Sequence, residues 1–370
     1  MQAHQFVTAL SYGDAIGDYT LEIQRILRSR GYDSEIYSEI VHPRMAKHVR
    51  PMFDYEFHQR DDVLMIVHFS IGSELGLFVP YCRGKKMLIY HNITPYEWFI
   101  DVNNHLAYQC LAGRKQLEKL KDFCPLGLAD SEYNRRELES LGFARTGVLP
   151  IRLNFEKFNG TPDPLTLQSY DDNRTNIIVV GRAIPNKKLE DCLKVFAYYQ
   201  KHINPLSRLI FVGLSGGFET YLFALRNMVT ELSAQEVVFT GHIGFEEILA
   251  YYRIADALLI MSEHEGFCVP LLEGFYMRVP VVAWDACAIP YTAGSGAVLV
   301  QKEKNYPAIG ELLHRVCTDA GLREQILSAQ QAQWKNQNEF PFEDTLLQNL
   351  ETLKELPSLY KAEPVRQSAE

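Results

Sequence analysis

The chain has 370 residues, is 47% apolar and 22% charged, and carries a formal net charge of −9 at pH 7. That length is enough for two domains with a core each. The acidic balance argues against a broad nucleic-acid-binding face, although local basic patches can still hold phosphates. Seven scattered cysteines include no CxxC pair, so neither a zinc knuckle nor a disulfide frame is expected. The start, Met1 to Gln5, lacks a basic segment followed by an apolar run, so no signal peptide is expected. No apolar stretch is long enough to span a bilayer. The expectation is a cytoplasmic protein with reduced thiols, with peripheral contact at the inner face of the membrane left open.

Short apolar runs alternate with amphipathic segments throughout, which argues for α/β layering with parallel strands. Phe6 to Leu10 reads as a strand, followed by a loop with Gly13, Asp14 and Gly17. Leu21 to Arg30 has helical periodicity, and Gly31 stands at the place of a C-terminal cap. Further strands are predicted at Val63 to Val67, Met87 to Tyr90, Leu126 to Ala129 and Thr146 to Pro150. Between Phe158 and Asn176 the chain turns polar and rich in Gly, Pro and Asp, as an interdomain linker would. A second series follows: strands at Ile177 to Val180, Leu209 to Gly213, Val237 to Gly241, Ala257 to Met261 and Val279 to Ala283, with a helix over Leu189 to Gln200. Two such series predict two Rossmann-like, doubly wound lobes with a cleft between them, and ligands of such sheets bind beyond the carboxyl ends of the strands. The expected division is 1–165, 166–340, a terminal helix over 341–358 and a tail over 359–370.

The most informative stretch runs from Ser262 to Glu273, Ser-Glu-His-Glu-Gly-Phe-Cys-Val-Pro-Leu-Leu-Glu. It follows a buried-strand pattern and enters a helix with Pro270 in the first turn, where a missing N–H costs nothing. Glu265 therefore sits on a strand-to-helix loop and Glu273 near the helix start. Free N–H groups at a helix start favour anions. Two carboxylates beside an anion site suit a nucleotide-sugar, with its diphosphate between ribose and hexose.

With these residues in hand, the C-terminal half resembles the family 4 glycosyltransferases, which have the GT-B fold. Glu265 and Glu273 fit that family's E-x7-E pattern, framed by Gly266-Phe267 and Val279-Pro280-Val281-Val282. Gly181-Arg182 with Lys187 fits its G-R-x4-K element, and Gly213 and Gly241 fit its strand-end glycines. The match is strong over about half the chain and weak over the N-terminal half. The resemblance implies a retaining hexosyltransferase that moves a hexose from GDP-mannose or a UDP-sugar to a glycan or lipid-linked acceptor, in cell-surface polysaccharide synthesis. Donor binding falls to the C-terminal lobe and acceptor binding to the N-terminal lobe, with the terminal helix crossing back to the latter.

The resemblance also assigns roles. Arg182 and Lys187 would stabilise the departing diphosphate, an interaction that favours the transition state over the ground state. Glu265 would contact the donor hexose, and Glu273 the ribose hydroxyls through charge-assisted bonds. Backbone amides of Gly266, Phe267, Cys268 and Val269 would line sugar and diphosphate. His91, after the strand ending at Tyr90, would face the donor sugar near the reacting carbon. Gly13, Asp14 and Gly17 occupy the place of the family's first glycine loop, without its paired glycines. Pro290-Tyr291 stands where a Pro-Glu pair is common. Neither a metal ion nor another cofactor is expected, and no Asp-x-Asp element appears. Taken alone, each position also fits an ordinary structural role: a surface cation for Arg182 or Lys187, a helix-start acid for Glu273, a loop histidine for His91. The basic stretch Arg114, Lys115, Lys119 and Lys121 is interrupted by Glu118 and Asp122 and reads as a solvated helix face. Rival readings are a nucleotide-sugar epimerase, a glycosidase and a non-catalytic nucleotide-sugar binder.

Overall fold

The computed structural model describes residues 1–11, 13–55, 61–214 and 216–361. It divides into two compact units. The first holds Met1–Tyr96, His105–Leu153 and the chain from Pro341; the second holds Glu97–Asn104 and Asn154–Phe340. The polar stretch expected as a linker is part of the second unit. It contains a 3-10 turn (Phe155–Asn159) and a short helix (Pro164–Ser169).

Among the described residues, the first unit carries a seven-stranded sheet: β1 (Ala3–Leu10), β2 (Ile36–Val41), β3 (Arg50–Pro51), β4 (Leu64–Phe69), β5 (Lys85–Tyr90), β6 (Leu126–Ala129) and β7 (Thr146–Val148). All pairings are parallel, in the order β3-β2-β1-β4-β5-β6-β7. The order reverses at β1/β4, which makes the sheet doubly wound. β4 and β5 are buried along nearly their whole length, as the unbroken apolar runs require in a sheet covered on both faces. β2 and β3 went unmarked in sequence. Ile-Tyr-Ser-Glu-Ile-Val gives too short and mixed a pattern, and β3 is two residues long.

The first helix begins at Ala15, ahead of the periodic segment, because Asp14 caps it and accepts a bond from the Gly17 N–H at 3.4 Å. The last helix, Phe342–Glu355, buries Phe342, Leu346, Leu350 and Leu353 in the first unit. Phe342 meets the edge of Tyr19 at 5.5 Å, and Glu343 pairs with Arg30 at 2.6 Å. Of the expected tail, 362–370 lie outside the described residues, while the Lys361 N–H donates to the Pro80 carbonyl at 2.7 Å.

The second unit's described residues form a six-stranded sheet of β8 (Thr175–Val180), β9 (Ser207–Val212), β10 (Val237–Phe239), β11 (Ala257–Ile260), β12 (Val281–Trp284) and β13 (Val298–Val300). It is again parallel, in the order β10-β9-β8-β11-β12-β13, with its reversal at β8/β11. Ile178 registers with Ile210 on one side and Leu258 on the other. The helices Leu189–His202 and Tyr306–Thr318 cover one face through Leu193, Phe196, Ile309 and Leu313. Thus both Rossmann-like lobes read from the sequence are present. The segment 97–104 joins the second unit through Phe99, 5.8 Å from Phe218, and Asn103, which donates to the Gly217 carbonyl at 3.0 Å.

Candidate functional site

In the second unit the strand ends beside the β8/β11 reversal carry the expected residues. After β11 the chain turns through Ser262 to Cys268 into the helix Val269–Tyr276, with Pro270 in its first turn. Two segments are stitched together here. Asn186 accepts from the Glu263 N–H at 2.9 Å through its carbonyl, and its side chain donates to the His264 carbonyl at 3.0 Å. Beside them the Lys187 Nζ lies 2.5 Å from Glu265 Oε1. Both side chains are largely buried, Glu265 with 9% and Lys187 with 19% of its side chain exposed. Burial alone would lower the Lys187 pKa; the facing Glu265 carboxylate overrides it and holds the ammonium above its usual range. The turn is also backed from behind: the Ala288 N–H donates to the Glu265 carbonyl at 3.2 Å, and the Thr292 hydroxyl to the Phe267 carbonyl at 2.6 Å.

Left-handed backbone marks the same region. Lys188, Cys268 and Cys287 have φ of 53°, 70° and 52°. Such conformations carry strain in non-glycine residues and persist where surrounding contacts fix them, most often at functional sites. Arg182 follows β8, and its guanidinium lies 5.6 Å from the Phe218 ring centroid. Gly213 follows β9 at φ 146°, and a Cβ there would fall 2.2 Å from the Gly181 carbonyl oxygen. Only glycine allows the two strand ends to approach so closely.

Arg182, Lys187, Gly213, Gly241, Glu265 and Cys268 line one cavity with about 670 Å³ of atom-free space, part of it open solvent. Its charged lining consists of three cations, Arg226 being the third, against the single carboxylate of Glu265. In a chain of net charge −9 this is a local positive field, aided by the helix start behind Cys268. The arrangement can hold a dianionic group beside a hydroxyl-bearing one. The cavity lining does not include Gly266, Phe267, Val269 or Glu273. Glu273 is half-buried and accepts a hydrogen bond from the Tyr252 hydroxyl at 2.6 Å. Burial pushes its carboxyl pKa up, opposed by that bond.

His91 leaves the end of β5 with its side chain 1% exposed. Its Nδ1 faces both Asp130 oxygens at 2.9 and 3.0 Å, and its Nε2 lies 2.9 Å from His68 Nδ1. Asn92, next in the chain, is left-handed at φ 74°, and its amide donates to the Asn134 side chain at 2.8 Å. Of the expected loop Gly13, Asp14 and Gly17, the last lies in the first turn of the first helix, where a Cβ would fall 2.7 Å from the Ser11 carbonyl oxygen. Arg114 is tied down by Glu137 at 2.6 Å and by the Ile93 carbonyl, and Lys121 donates to the Leu141 carbonyl at 2.9 Å. Two of the four cations of that basic stretch thus have structural partners.

Sequence reasoning missed Asn186, Arg226, Tyr252 and the partners of His91. Asp130 was within reach: it follows β6 where His91 follows β5, and the two strands are neighbours with Tyr90 opposite Ala129. Among the described residues no group of three His, Cys, Asp or Glu is placed to hold a metal ion. No helix among them is long and apolar enough to cross a membrane.

Residues 168–333, which carry all of the cavity just described, match the family model described as glycosyl transferases group 1. This stretch is similar to the group 1 glycosyltransferases. The chain is 25% identical over 311 residues to the O-antigen chain mannosyltransferase B of Escherichia coli, covering 80% of this chain and 76% of that protein. It is 28% identical over 159 residues to a GDP-mannose-dependent alpha-(1-6)-phosphatidylinositol monomannoside mannosyltransferase of Mycolicibacterium smegmatis, 40% of each chain. The structure of HepE from Anabaena in complex with UDP-glucose superimposes with a TM-score of 0.73 at 16% identity, covering 95% of this chain and all of that one, and shows the shared GT-B fold. The glycosyltransferase is accordingly a hexosyltransferase with two Rossmann-like lobes.

Proposed function

We propose that this glycosyltransferase is a retaining enzyme of family 4 type that takes a hexose from a nucleotide-diphosphate sugar. The observation that carries the reading is the Lys187–Glu265 contact at 2.5 Å, in a cavity that Arg182 shares. A cation for the diphosphate and a carboxylate for the sugar stand side by side, as the two halves of such a donor do. The mannosyltransferase relatives favour GDP-mannose as donor, with a UDP-hexose as the alternative. Their names also support a glycan or lipid-linked acceptor in cell-surface polysaccharide synthesis.

In this reading the bond between the sugar's anomeric carbon and the β-phosphate oxygen breaks while the acceptor oxygen adds on the same face. The acceptor's proton passes to the departing phosphate oxygen. Arg182, Lys187 and the amides at the helix start behind Cys268 stabilise the charge that grows on the diphosphate. Glu265 supports the oxocarbenium-like sugar, and Glu273 holds the ribose hydroxyls. In the N-terminal unit, Gly13, Asp14 and Gly17 and the main chain at His91 contribute to sugar recognition, since both ring nitrogens of His91 are already bonded to Asp130 and His68. Loss of one diphosphate contact raises the barrier by on the order of 3 kcal/mol. Catalysis is assigned no metal ion or other cofactor.

The test is incubation with a panel of GDP-, UDP-, TDP- and ADP-sugars, with and without glycan and lipid-linked acceptors, following product by mass. Acceptor-dependent transfer with retained anomeric configuration supports the reading. Acceptor-independent conversion of the donor to an epimer favours the epimerase, and release of free sugar alone favours hydrolysis. Donor binding without turnover favours a sensor.

A further inference from the structure

Behind the end of β5 lies a chain of buried polar groups whose hydrogen-bond directions can be worked out from one end. Gln5 on β1 donates its side-chain N–H to the Thr20 carbonyl at 3.0 Å. Its amide oxygen is therefore the atom that faces His68 Nε2 at 3.0 Å. An oxygen acceptor there requires a proton on that nitrogen. His68 is buried, and burial, helped by the neighbouring His91, holds its pKa well below the usual histidine range, so the ring is neutral. Its Nδ1 is then an acceptor, and the His91 Nε2, 2.9 Å away, must donate to it. The two imidazoles are coplanar to within 1°, with centroids 5.2 Å apart, as an in-plane ring-to-ring bond demands. At the far end, one proton lies between His91 Nδ1 and the Asp130 carboxyl. The edge of Tyr19 closes over both rings at 6.0 and 5.7 Å.

We propose that His68 is a positioning residue: as the Nε2–H tautomer relayed from Gln5, it fixes the imidazole of His91 in one orientation between itself and Asp130. Its bearing on turnover rests on the reading that His91 serves the sugar site; the orientation itself does not. Both ring nitrogens of His91 are used, so the ring cannot turn without breaking two buried bonds. Nothing in the sequence marks His68, which sits inside an apolar strand four residues from Gly72 and has no local partner.

The experiment uses the full chain labelled with nitrogen-15. A long-range proton–nitrogen spectrum reads the tautomer of each histidine, and the His68 peaks are identified by their loss in His68→Gln. The expected result is a protonated Nε2 and a bare Nδ1 on His68 throughout about pH 6 to 8. A proton on Nδ1, or a doubly protonated ring in that range, overturns the proposal. In the folded His68→Phe variant the His91 peaks must move, because the acceptor of its Nε2–H is gone; unmoved peaks overturn it too. On turnover, His68→Phe is expected to lower kcat by about tenfold to a hundredfold with a smaller change in donor KM, and His68→Gln, which restores an acceptor oxygen, to recover most of it. Equal losses in the two variants would reduce His68 to packing and overturn the positioning role. Full activity in His91→Phe, with the tautomers as stated, would remove His91 from the sugar site and leave the orientation of its ring standing.

Discussion

Lys187 and Glu265 are 78 positions apart in the chain and 2.5 Å apart in the fold. Their pairing has separable consequences for stability and for chemistry. Lys187→Met leaves a buried carboxylate without its cation and is expected to cost about 3 kcal/mol of stability. The double variant Lys187→Met/Glu265→Leu is expected to regain most of that, because removing both charges removes the desolvation penalty. Turnover should not return: each variant loses about a hundredfold or more in the transfer step. Thermal unfolding and release of nucleoside diphosphate are the two measurements. A double variant that recovers both would make the pair purely structural.

Gly213 offers a test that touches no charge. Gly213→Ala places a Cβ 2.2 Å from the Gly181 carbonyl oxygen at a backbone φ of 146°. The strand ends must separate, with an expected loss of about 2–3 kcal/mol in denaturant unfolding. Because Arg182 directly follows Gly181, donor affinity should fall as well. Unchanged stability would show that this close approach is not required.

Much of the second unit was legible in advance because its signals are local. An apolar run, a Gly-Arg step and a strand-to-helix turn each declare themselves within a dozen residues. Glu265 and Lys187 could be named from such segments, and the fold brings them together. The first unit was less legible. His91 was named, but His68 and Gln5 lie on strands β4 and β1, and no local pattern relates them to it. The same holds for Tyr252, which reads as one more aromatic residue on a helix yet bonds Glu273. Residues 97–104 belong to the second unit through contacts with Phe218 and Gly217, more than a hundred positions away.

Glu273 can be tested for ribose binding apart from its bond to Tyr252. If its carboxylate takes the ribose hydroxyls, Glu273→Gln should weaken nucleoside diphosphate binding by about tenfold, the worth of one hydrogen bond to a charged group. Calorimetric titration reads this directly. Unchanged affinity would confine Glu273 to its bond with Tyr252.

Stability should also report the buried His68. Its folded pKa is depressed below the ordinary 6.5 by burial. Below that value the unfolded chain takes up a proton that the native ring refuses, so stability falls as pH drops. The contribution is complete above about pH 6.5 and is lost at about 1.4 kcal/mol per pH unit below it. Denaturant unfolding between about pH 5 and 7 is expected to show a slope that His68→Gln reduces. An identical slope in both proteins would mean that His68 is protonated in the native state.

The most direct measurement is calorimetric titration of the full chain with GDP and with UDP, repeated on Arg182→Ala and Lys187→Ala variants confirmed to be folded. The account expects saturable one-to-one binding of at least one of the two nucleotides. It expects each substitution to weaken that binding by about tenfold or more. Absence of binding to either nucleotide, or affinity unaltered by both substitutions, would contradict it.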